Sequence, residues 1–334
     1  HSLNMQLKWG IVGTGRICQD FCLALLTCDP HEHVIVAVSS RGKTQADNFV
    51  RDFELGDQVR TYGSQEELFN DANVDIVYIG TIEQVHRDLC IKALTNNKHV
   101  LCEKPLAMNE VEVQDIVDTA RKTKKFMMEA IWSRFFPIYD NLRDAVKQIG
   151  TVTYVECTFC VTGLVSFGIW SLLMAIGCYP VQAALIAFDH EEPVSIVASG
   201  HTREHQGEKT DSMATITLLF KNNRMAVLNC LGQDIGAINS LTIHGTEGVI
   251  SLPTHFWCPT RIVLPNGHHI DHDLPETLKK TNYTHSAGLR YEAMACRDQI
   301  MNGKSEHPFM TLDNSLQIAR IIEQARKQIL AASH

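Results

Sequence analysis

Short, continuously apolar segments alternate with amphipathic ones over the first 132 residues, and this alternation constrains the fold more than any other feature. The apolar segments are LKWGIVG (7–13), HVIVAVSS (33–40), VDIVYIGT (74–81), HVLCEKP (99–105) and FMMEAIW (126–132). Helical patterns lie between them at about 17–26, 43–53, 65–71, 85–97 and 108–123. Apolar strands separated by helices are typical of a parallel sheet that is covered on both faces. Ligands of such sheets bind beyond the carboxyl ends of the strands.

The turn after the first strand carries a dinucleotide-binding fingerprint. GIVGTGRIC supplies Gly13-x-Gly15-x-x-Cys18, with a cysteine where a third glycine is usual. The first glycine permits the tight turn, the second lets a pyrophosphate approach the backbone, and the following helix offers free amides. A strand before the turn and a helix after it support the motif. We expect Gly13, Gly15 and Ile17 to contact a dinucleotide; an ordinary glycine turn is the alternative.

The end of the second strand indicates which dinucleotide binds. An NAD-binding protein normally has Asp or Glu here for the ribose hydroxyls. This chain has Ser39, Ser40 and Arg41 instead, with Lys43 close behind. Hydroxyls and cations suit a 2′-phosphate, whereas an acid would repel it. We therefore predict NADP(H) as the cofactor; the alternative is that Arg41 only decorates a solvated helix start.

Glu103, Lys104 and Pro105 follow the fourth apolar strand. Proline disfavours helical geometry in the residue before it, so Lys104 is expected at a fixed bend where the strand ends. This bend lies at the edge of the sheet where a ligand would bind. A charge pair there can also be a plain solvated turn, and the residues alone leave both interpretations open.

The chain changes character after about residue 128. Strand-like segments occur at 151–159, 194–201, 212–220, 224–231, 238–245 and 261–266, and helical segments at 171–187, 288–302 and 313–331. Short turns between the strands predict an antiparallel meander. We therefore predict an α/β protein in which residues 6–127 form a doubly wound parallel sheet of the Rossmann type and residues 128–332 an α+β domain. Since no flexible spacer separates the two, we expect the cofactor in a cleft between them.

Composition argues against several classes of partner. The formal net charge of −8 disfavours nucleic acid and anionic membranes. No apolar run reaches the length of a membrane span and no signal-peptide pattern is present, so we expect a cytoplasmic protein. Among eleven cysteines, Cys157 and Cys160 lie three apart in a strand-like segment and should point to opposite faces. We expect reduced, buried cysteines and no metal site.

Several segments together resemble the glucose-fructose oxidoreductase/inositol dehydrogenase (Gfo/Idh/MocA) family over about residues 7–330. They are GIVGTGRI, the EKP tripeptide, MEAIWSRFFP (128–137), HGTEGVI (244–250) and GLRYEAMACRDQIMNGK (288–304). The resemblance implies an NADP-dependent oxidoreductase that transfers a hydride between the nicotinamide and a small diol, sugar or carbonyl compound, such as an aldose or a dicarbonyl. It also implies that the second domain has an open, mostly antiparallel sheet, whose outer face forms a homodimer in the subgroup most similar to this chain.

The same resemblance assigns roles to individual residues. Lys104 would exchange the proton of the substrate hydroxyl, because hydride loss from a carbinol carbon must be matched by loss of that proton. Glu103 would lie by the nicotinamide ribose, and Tyr179 aligns with a second acid/base. The remaining family positions are Thr81 and His86 in a cofactor loop and Trp132, Arg134 and Phe135 in the substrate pocket. For each of these, packing or bracing of the core is the alternative.

Two departures from the family pattern leave the activity open. Glu83 replaces the usual Asn or His in the loop before His86, and Ala175 stands where the family has an acid, four residues before Tyr179. Positions 175 and 179 are expected to share one helix face. An oxidoreductase with weakened or altered activity therefore competes with a cofactor-binding protein that has no turnover.

Overall fold

The computed structural model describes residues 6–162, 170–232 and 239–332. The described chain divides into two compact units. The first contains the residues up to Phe135 together with Leu274–Leu316, and the second contains Phe136–Asp273 together with the residues from Gln317 onward. The predicted boundary at residue 128 placed all later residues in one domain. In the structure, Leu274–Leu316, a segment of more than forty residues late in the chain, belong to the first unit.

The first unit is built on a parallel sheet. Within residues 6–135, six strands lie in the order β3-β2-β1-β4-β5-β6, and all neighbours pair in parallel. The strands are β1 (Leu7–Val12), β2 (His33–Ser39), β3 (Arg60–Tyr62), β4 (Ile76–Ile79), β5 (His99–Glu103) and β6 (Met127–Ala130). The predicted doubly wound sheet is confirmed. The sequence did not reveal β3, which is a short edge strand without an apolar run.

Helices follow these strands at nearly the predicted positions. They are α1 (Arg16–Leu25), α2 (Lys43–Asp52), α3 (Gln65–Phe69), α4 (His86–Thr95) and α5 (Glu110–Thr123). Local capping explains some of the starts. Ser64 and Glu67 form a capping box at α3, and the Asn109 side chain accepts the Glu112 N–H at α5. Each helix returns the chain so that the carboxyl ends of the strands share one edge.

The second unit contains an open, mostly antiparallel sheet. Eight strands within its described residues lie in the order β14-β13-β12-β11-β7-β10-β9-β8. They are β7 (Val152–Cys160), β8 (Ser195–His205), β9 (Glu208–Phe220), β10 (Arg224–Leu231), β11 (Ser240–Gly245), β12 (Gly248–Leu252), β13 (Arg261–Val263) and β14 (His269–Asp271). The predicted simple meander is wrong for β7, which lies between β11 and β10 and pairs in parallel with β10. A parallel neighbour requires a long connection, and the chain between β7 and β10 supplies one.

The helices of the second unit correct one expectation. They are α6 (Pro137–Val146), α7 (Leu172–Ile176) and α8 (Cys178–Ala187). Two longer helices follow: α9 (Leu289–Met301) belongs to the first unit, and α10 (Leu312–Ala332) begins in the first unit and continues in the second. A single helix over 171–187 was expected, but the chain forms α7 and α8, joined at Gly177. Pro180 has no N–H to donate to the Ile176 carbonyl, so the helical ladder is interrupted there. Ala175 and Tyr179 therefore lie on two consecutive helices.

Buried thiols and moderate helix lengths are two further features of the fold. All eleven cysteines lie in described residues, and each is buried and free of a disulfide. Across the described ranges, the helices are all too short or too polar to cross a membrane.

Candidate functional site

The turn between β1 and α1 has the geometry that the fingerprint requires. Gly13 has φ of +111°, a conformation that side chains disfavour, and its N–H donates to the Ser39 carbonyl at 2.9 Å. Gly15 is the N-cap of α1, and a Cβ placed on it would meet no described atom within 4 Å. The space before the free amides of α1 is thus open to an anion such as a pyrophosphate.

Cys18 shows why this fingerprint does without its third glycine. The Cys18 Sγ lies 3.3 Å from the Gly80 carbonyl oxygen and 3.8 Å from that of Val12. A Cβ on Gly80 would be only 2.4 Å from this sulfur. Close packing of α1 is therefore permitted by Gly80 at the end of β4, and not by a glycine at the third position of the fingerprint. Burial raises the pKa of the Cys18 thiol, so the residue serves packing.

Two buried hydroxyls lie at the carboxyl ends of the strands. The Oγ of Ser39, the last residue of β2, and the Oγ1 of Thr81, which follows β4, have no hydrogen-bond partner among the described residues. Buried polar atoms are normally paired, so both hydroxyls point to a ligand. Both lie at the edge of the sheet where the predicted cofactor would bind, and as hydrogen-bond donors they fit a dinucleotide there.

The turn after Ser39 holds the candidates for phosphate recognition. Ser40 Oγ donates to Gln45 Oε1 at 2.9 Å and lies 3.4 Å from Thr14 Oγ1, whereas Arg41 is exposed. The Lys43 ammonium donates to the Thr61 hydroxyl and carbonyl at 2.5 and 3.1 Å. Lys43 is therefore tied to β3, and Arg41 is the cation of this turn that is best placed for a 2′-phosphate.

Glu103 lies in a buried network that the sequence did not reveal. The Tyr78 hydroxyl donates to Glu103 Oε1 at 2.6 Å, and the Lys104 backbone N–H donates to Oε2 at 3.2 Å. Burial raises the pKa of Glu103, and the Lys104 charge and the Tyr78 hydrogen bond oppose this rise. The carboxylate thus fastens the bend that carries Lys104. A tyrosine within an otherwise aliphatic strand was the available signal.

The turn after Lys104 is held from two further sides. The Lys104–Pro105 peptide is cis, and Lys104 itself is half-buried. His86, the first residue of α4, has Nδ1 2.9 Å from the Pro105 carbonyl oxygen and Nε2 3.2 Å from that of Thr81. Glu129 on β6 accepts the Leu106 N–H at 3.0 Å. These contacts define the position of Lys104, and they place His86 as a link between two loops rather than as an exposed ligand group.

Glu292 on α9 is a second buried acid that sequence reasoning missed. The residue is 0% exposed, and neither carboxyl oxygen has a hydrogen-bond partner in the described chain. Burial, reinforced by the nearby charge of Glu103, raises the pKa of Glu292 well above its usual value. A lone glutamate in an amphipathic pattern looks like a surface residue, and only packing shows otherwise.

The predicted substrate residues of the first unit lie in a short 3-10 turn after β6. Arg134 is fully buried and donates to the Phe309 carbonyl at 2.8 Å and to Asn314 Oδ1 at 2.9 Å. Phe135 packs edge-on against His307 with ring centroids 5.0 Å apart, and Trp132 is nearly buried. The guanidinium of Arg134 thus braces the unit internally.

Tyr179 lies in the second unit on α8. It is nearly buried, and its ring is edge-on to that of Phe159 with centroids 5.6 Å apart. The start of the preceding helix, α7, is anchored by the buried Asp211. Its carboxylate accepts hydrogen bonds from Ser171 Oγ at 2.7 Å, from the Leu173 N–H at 2.6 Å and from Arg326 Nε at 3.0 Å. Residues 163–169, which precede this anchor in the chain, lie outside the described residues.

Comparisons with known proteins cover nearly the whole chain. Residues 7–131 match the GFO/IDH/MocA family described as "Oxidoreductase family, NAD-binding Rossmann fold". Residues 139–251 match the GFO/IDH/MocA C-terminal domain. The chain is 37% identical to trans-1,2-dihydrobenzene-1,2-diol dehydrogenase of Xenopus tropicalis, over 97% of this chain and 98% of that protein. It is 33% identical to the Homo sapiens protein of the same name, over 97% of both.

Solved structures with the same architecture are more distant in sequence. Levoglucosan dehydrogenase, in complex with NADH and levoglucosan, has a TM-score of 0.83 at 18% identity and covers 98% of both chains. An oxidoreductase from Agrobacterium radiobacter, in complex with NAD+, L-tartaric acid and magnesium, has a TM-score of 0.81 at 20% identity, covering 97% of this chain and 96% of that one. At these identities the likeness establishes the fold.

Proposed function

The chain belongs to the Gfo/Idh/MocA oxidoreductase family, and on that premise we propose that it is an NADP-dependent dehydrogenase acting on the CH–OH group of a small diol or sugar, or on the corresponding carbonyl. The observation that carries the proposal is the pair of unpartnered buried hydroxyls, Ser39 and Thr81, beside the open glycine turn. The diol dehydrogenase relatives indicate the substrate class.

Three groups of residues would hold the cofactor. Gly13 and Gly15 leave room for the pyrophosphate in front of α1. Ser39 Oγ and the exposed Arg41 offer a donor and a cation to a 2′-phosphate, and no acid competes at the end of β2. Thr81 Oγ1 lies at the end of β4, which pairs with β5, the strand that leads to Lys104. When bound, the nicotinamide supplies the acceptor or donor for the hydride.

Lys104 is the residue proposed to move the proton. Three side chains hold the bend at Lys104. Glu103 accepts the Lys104 N–H, His86 contacts the Pro105 carbonyl, and Glu129 accepts the Leu106 N–H. A base that accepts the hydroxyl proton as the hydride leaves must be held within hydrogen-bond reach of the substrate. This rigid support favours an acid/base role over a plain solvated turn.

The test is a comparison of the parent with Lys104→Met. NADPH binding, followed by fluorescence, should persist, because the pyrophosphate and 2′-phosphate contacts are untouched. Turnover of an aromatic diol and of D-xylose with NADP+ should fall roughly 10²–10⁴-fold, the usual contribution of one acid/base group. Undiminished turnover would remove Lys104 from the mechanism.

A second candidate function is supported by Ala175. The family acid is absent there, and the surrounding Leu172, Leu173 and Met174 are apolar and buried. A cofactor-binding protein without turnover would retain every feature of the first unit described above. NADPH binding without turnover of any diol, aldose or dicarbonyl would favour this candidate.

A further inference from the structure

A buried acid on the fingerprint helix holds a distant segment of the first unit. Asp20 on α1 is fully buried and accepts from the Asn282 N–H at 2.7 Å, from Asn282 Nδ2 at 2.8 Å and from the Tyr283 N–H at 2.9 Å. A carboxylate that accepts several N–H groups is strongly fixed, and it fixes its donors in turn. The backbone at 282–283 is therefore locked onto the first turns of α1.

The same segment has further attachments. Asn282 Nδ2 also lies 3.2 Å from the Arg16 carbonyl oxygen and 3.1 Å from Gln19 Oε1. Three residues earlier, the Lys279 ammonium forms an ion pair with Glu54 at 3.5 Å and donates to the Asp52 carbonyl. We call residues 279–283 the strap. It is held both at the start of α1 and beyond the end of α2.

The strap brings Tyr283 to the fingerprint turn. Burial raises the pKa of the Tyr283 phenol, the Arg16 guanidinium opposes the rise, and the charges of Asp20 and Glu103 add to it. The phenol is thus close to Arg16, which follows Gly15, and within electrostatic range of Glu103 at the Lys104 bend. Tyr283 nevertheless remains 43% exposed. An aromatic side chain fixed at the open glycine turn, yet not packed into the core, is available to a ligand.

We propose that Arg16 and Tyr283 are further cofactor-binding residues, with the Arg16 guanidinium binding the pyrophosphate and the Tyr283 ring and hydroxyl covering the adjoining ribose. Asp20 is the positioning residue that holds Tyr283 there through the strap. The inference rests on the proposed function in so far as the ligand is a nicotinamide dinucleotide. It assigns part of the binding site to a residue that lies more than 260 positions after the fingerprint.

The experiment is an equilibrium titration of NADPH fluorescence with the parent, Tyr283→Ala, Tyr283→Phe and Asp20→Asn. Tyr283→Ala should raise the dissociation constant about tenfold, on the scale of one lost polar contact and its packing. Tyr283→Phe keeps the ring and should weaken binding only about threefold. Asp20→Asn keeps its shape but presents an amide to the Asn282 and Tyr283 donors, so it should weaken binding like Tyr283→Ala.

The matched control is Leu278→Ala, which alters a side chain 59% exposed in the residue before the strap. Its dissociation constant should equal that of the parent. Because Tyr283 is partly exposed, its substitution leaves the core intact, and circular dichroism checks the fold of each variant. Parent-like NADPH binding by Tyr283→Ala would overturn the inference while leaving the proposed function standing. A parent that binds neither NADPH nor NADH would overturn both.

Discussion

Glu129 and Glu292 are buried carboxyl groups whose titration should affect stability. Burial raises the pKa of Glu129 to about 7 and that of Glu292 well above its usual value. In the unfolded chain both titrate near pH 4.3, as ordinary glutamates do. Below that pH both groups are neutral in either state. As the pH rises, the unfolded chain releases its protons first, so the free energy of unfolding decreases until the folded pKa is passed.

Glutamine at either position should remove this loss, because it mimics the neutral acid. Relative to the parent, Glu129→Gln should gain stability between about pH 4.3 and pH 7 and then stay level, and Glu292→Gln should gain stability as the pH rises above about 4.3. Each unit of raised pKa amounts to roughly 1.4 kcal/mol. Urea unfolding from pH 4 to pH 9 measures both differences. Parallel curves for the parent and Glu292→Gln would show that Glu292 is not held neutral.

Arg41 should determine the choice between the two nicotinamide cofactors. It is the exposed cation at the end of β2, whereas Lys43 is engaged by Thr61. Loss of a charge-assisted contact to the 2′-phosphate typically costs roughly 1.5–3 kcal/mol. Arg41→Ala should therefore weaken NADPH at least tenfold and leave NADH nearly unchanged, with Arg51→Ala on α2 as the control. Equal affinity of the parent for both cofactors would contradict the NADP assignment.

At the scale of elements, α7 and α8 carry Ala175 and Tyr179, the positions at which the resemblance places an acid and a second acid/base. Ser171 caps α7 and is held by Asp211, and the chain resumes as α8 after Gly177. The position of Ala175 is thus well defined although it carries no functional group. A carboxylate there would add acceptors for the hydroxyls of a polar substrate, whereas Ala175 adds none and its neighbours Leu172 and Met174 are apolar and buried.

Substrate preference should follow from this segment. We predict that the parent turns over an aromatic diol with a higher kcat/KM than D-xylose, and that Ala175→Asp raises kcat/KM for the sugar. Tyr179→Phe should remove most activity if its hydroxyl takes part in proton transfer, by roughly 10²-fold or more. Leu185→Met, a volume-conserving change on α8, is the control. Equal use of both substrates by the parent would refute this account of Ala175.

At the scale of the whole molecule, the sheet of the second unit presents one face with partly exposed side chains. One row of side chains crosses this face at the same pleat, and none of its members is buried. The row consists of Val197, Thr217, Val227, Glu156, Thr242 and Ser251. Apart from Glu156, its members are small or β-branched, a composition that suits the homodimer that the resemblance implies.

Val227→Glu should dissociate such a dimer, because it places a second negative charge beside Glu156 in the middle of the face. Sedimentation equilibrium should show a dimer for the parent and a monomer for the variant. The control is Val111→Glu, at a side chain 72% exposed on α5. A parent that sediments as a monomer would exclude the homodimer.

The sequence by itself determined the parallel sheet, the glycine turn and the bend at Lys104. Each of these depends on residues that are close together in the chain: apolar runs of strand length, a glycine that accepts positive φ, and a proline that restricts the residue before it. Helix caps are equally local, so the N-cap residues Ser64 and Asn109 could have been used to predict the first residues of α3 and α5 more accurately. Such features can be predicted from sequence because the interactions that cause them join residues that are close together in the chain.

The tertiary structure alone decided how distant segments combine. It paired Tyr78 with Glu103, buried Glu292 without a hydrogen-bond partner among the described residues and placed Gly80 next to Cys18. It also inserted β7 beside β10 and joined Asp20 to Asn282 across 262 positions. No propensity or periodicity encodes such pairs, because whether a polar side chain is buried, and what it then binds, depends on which surfaces the folded chain excludes from water.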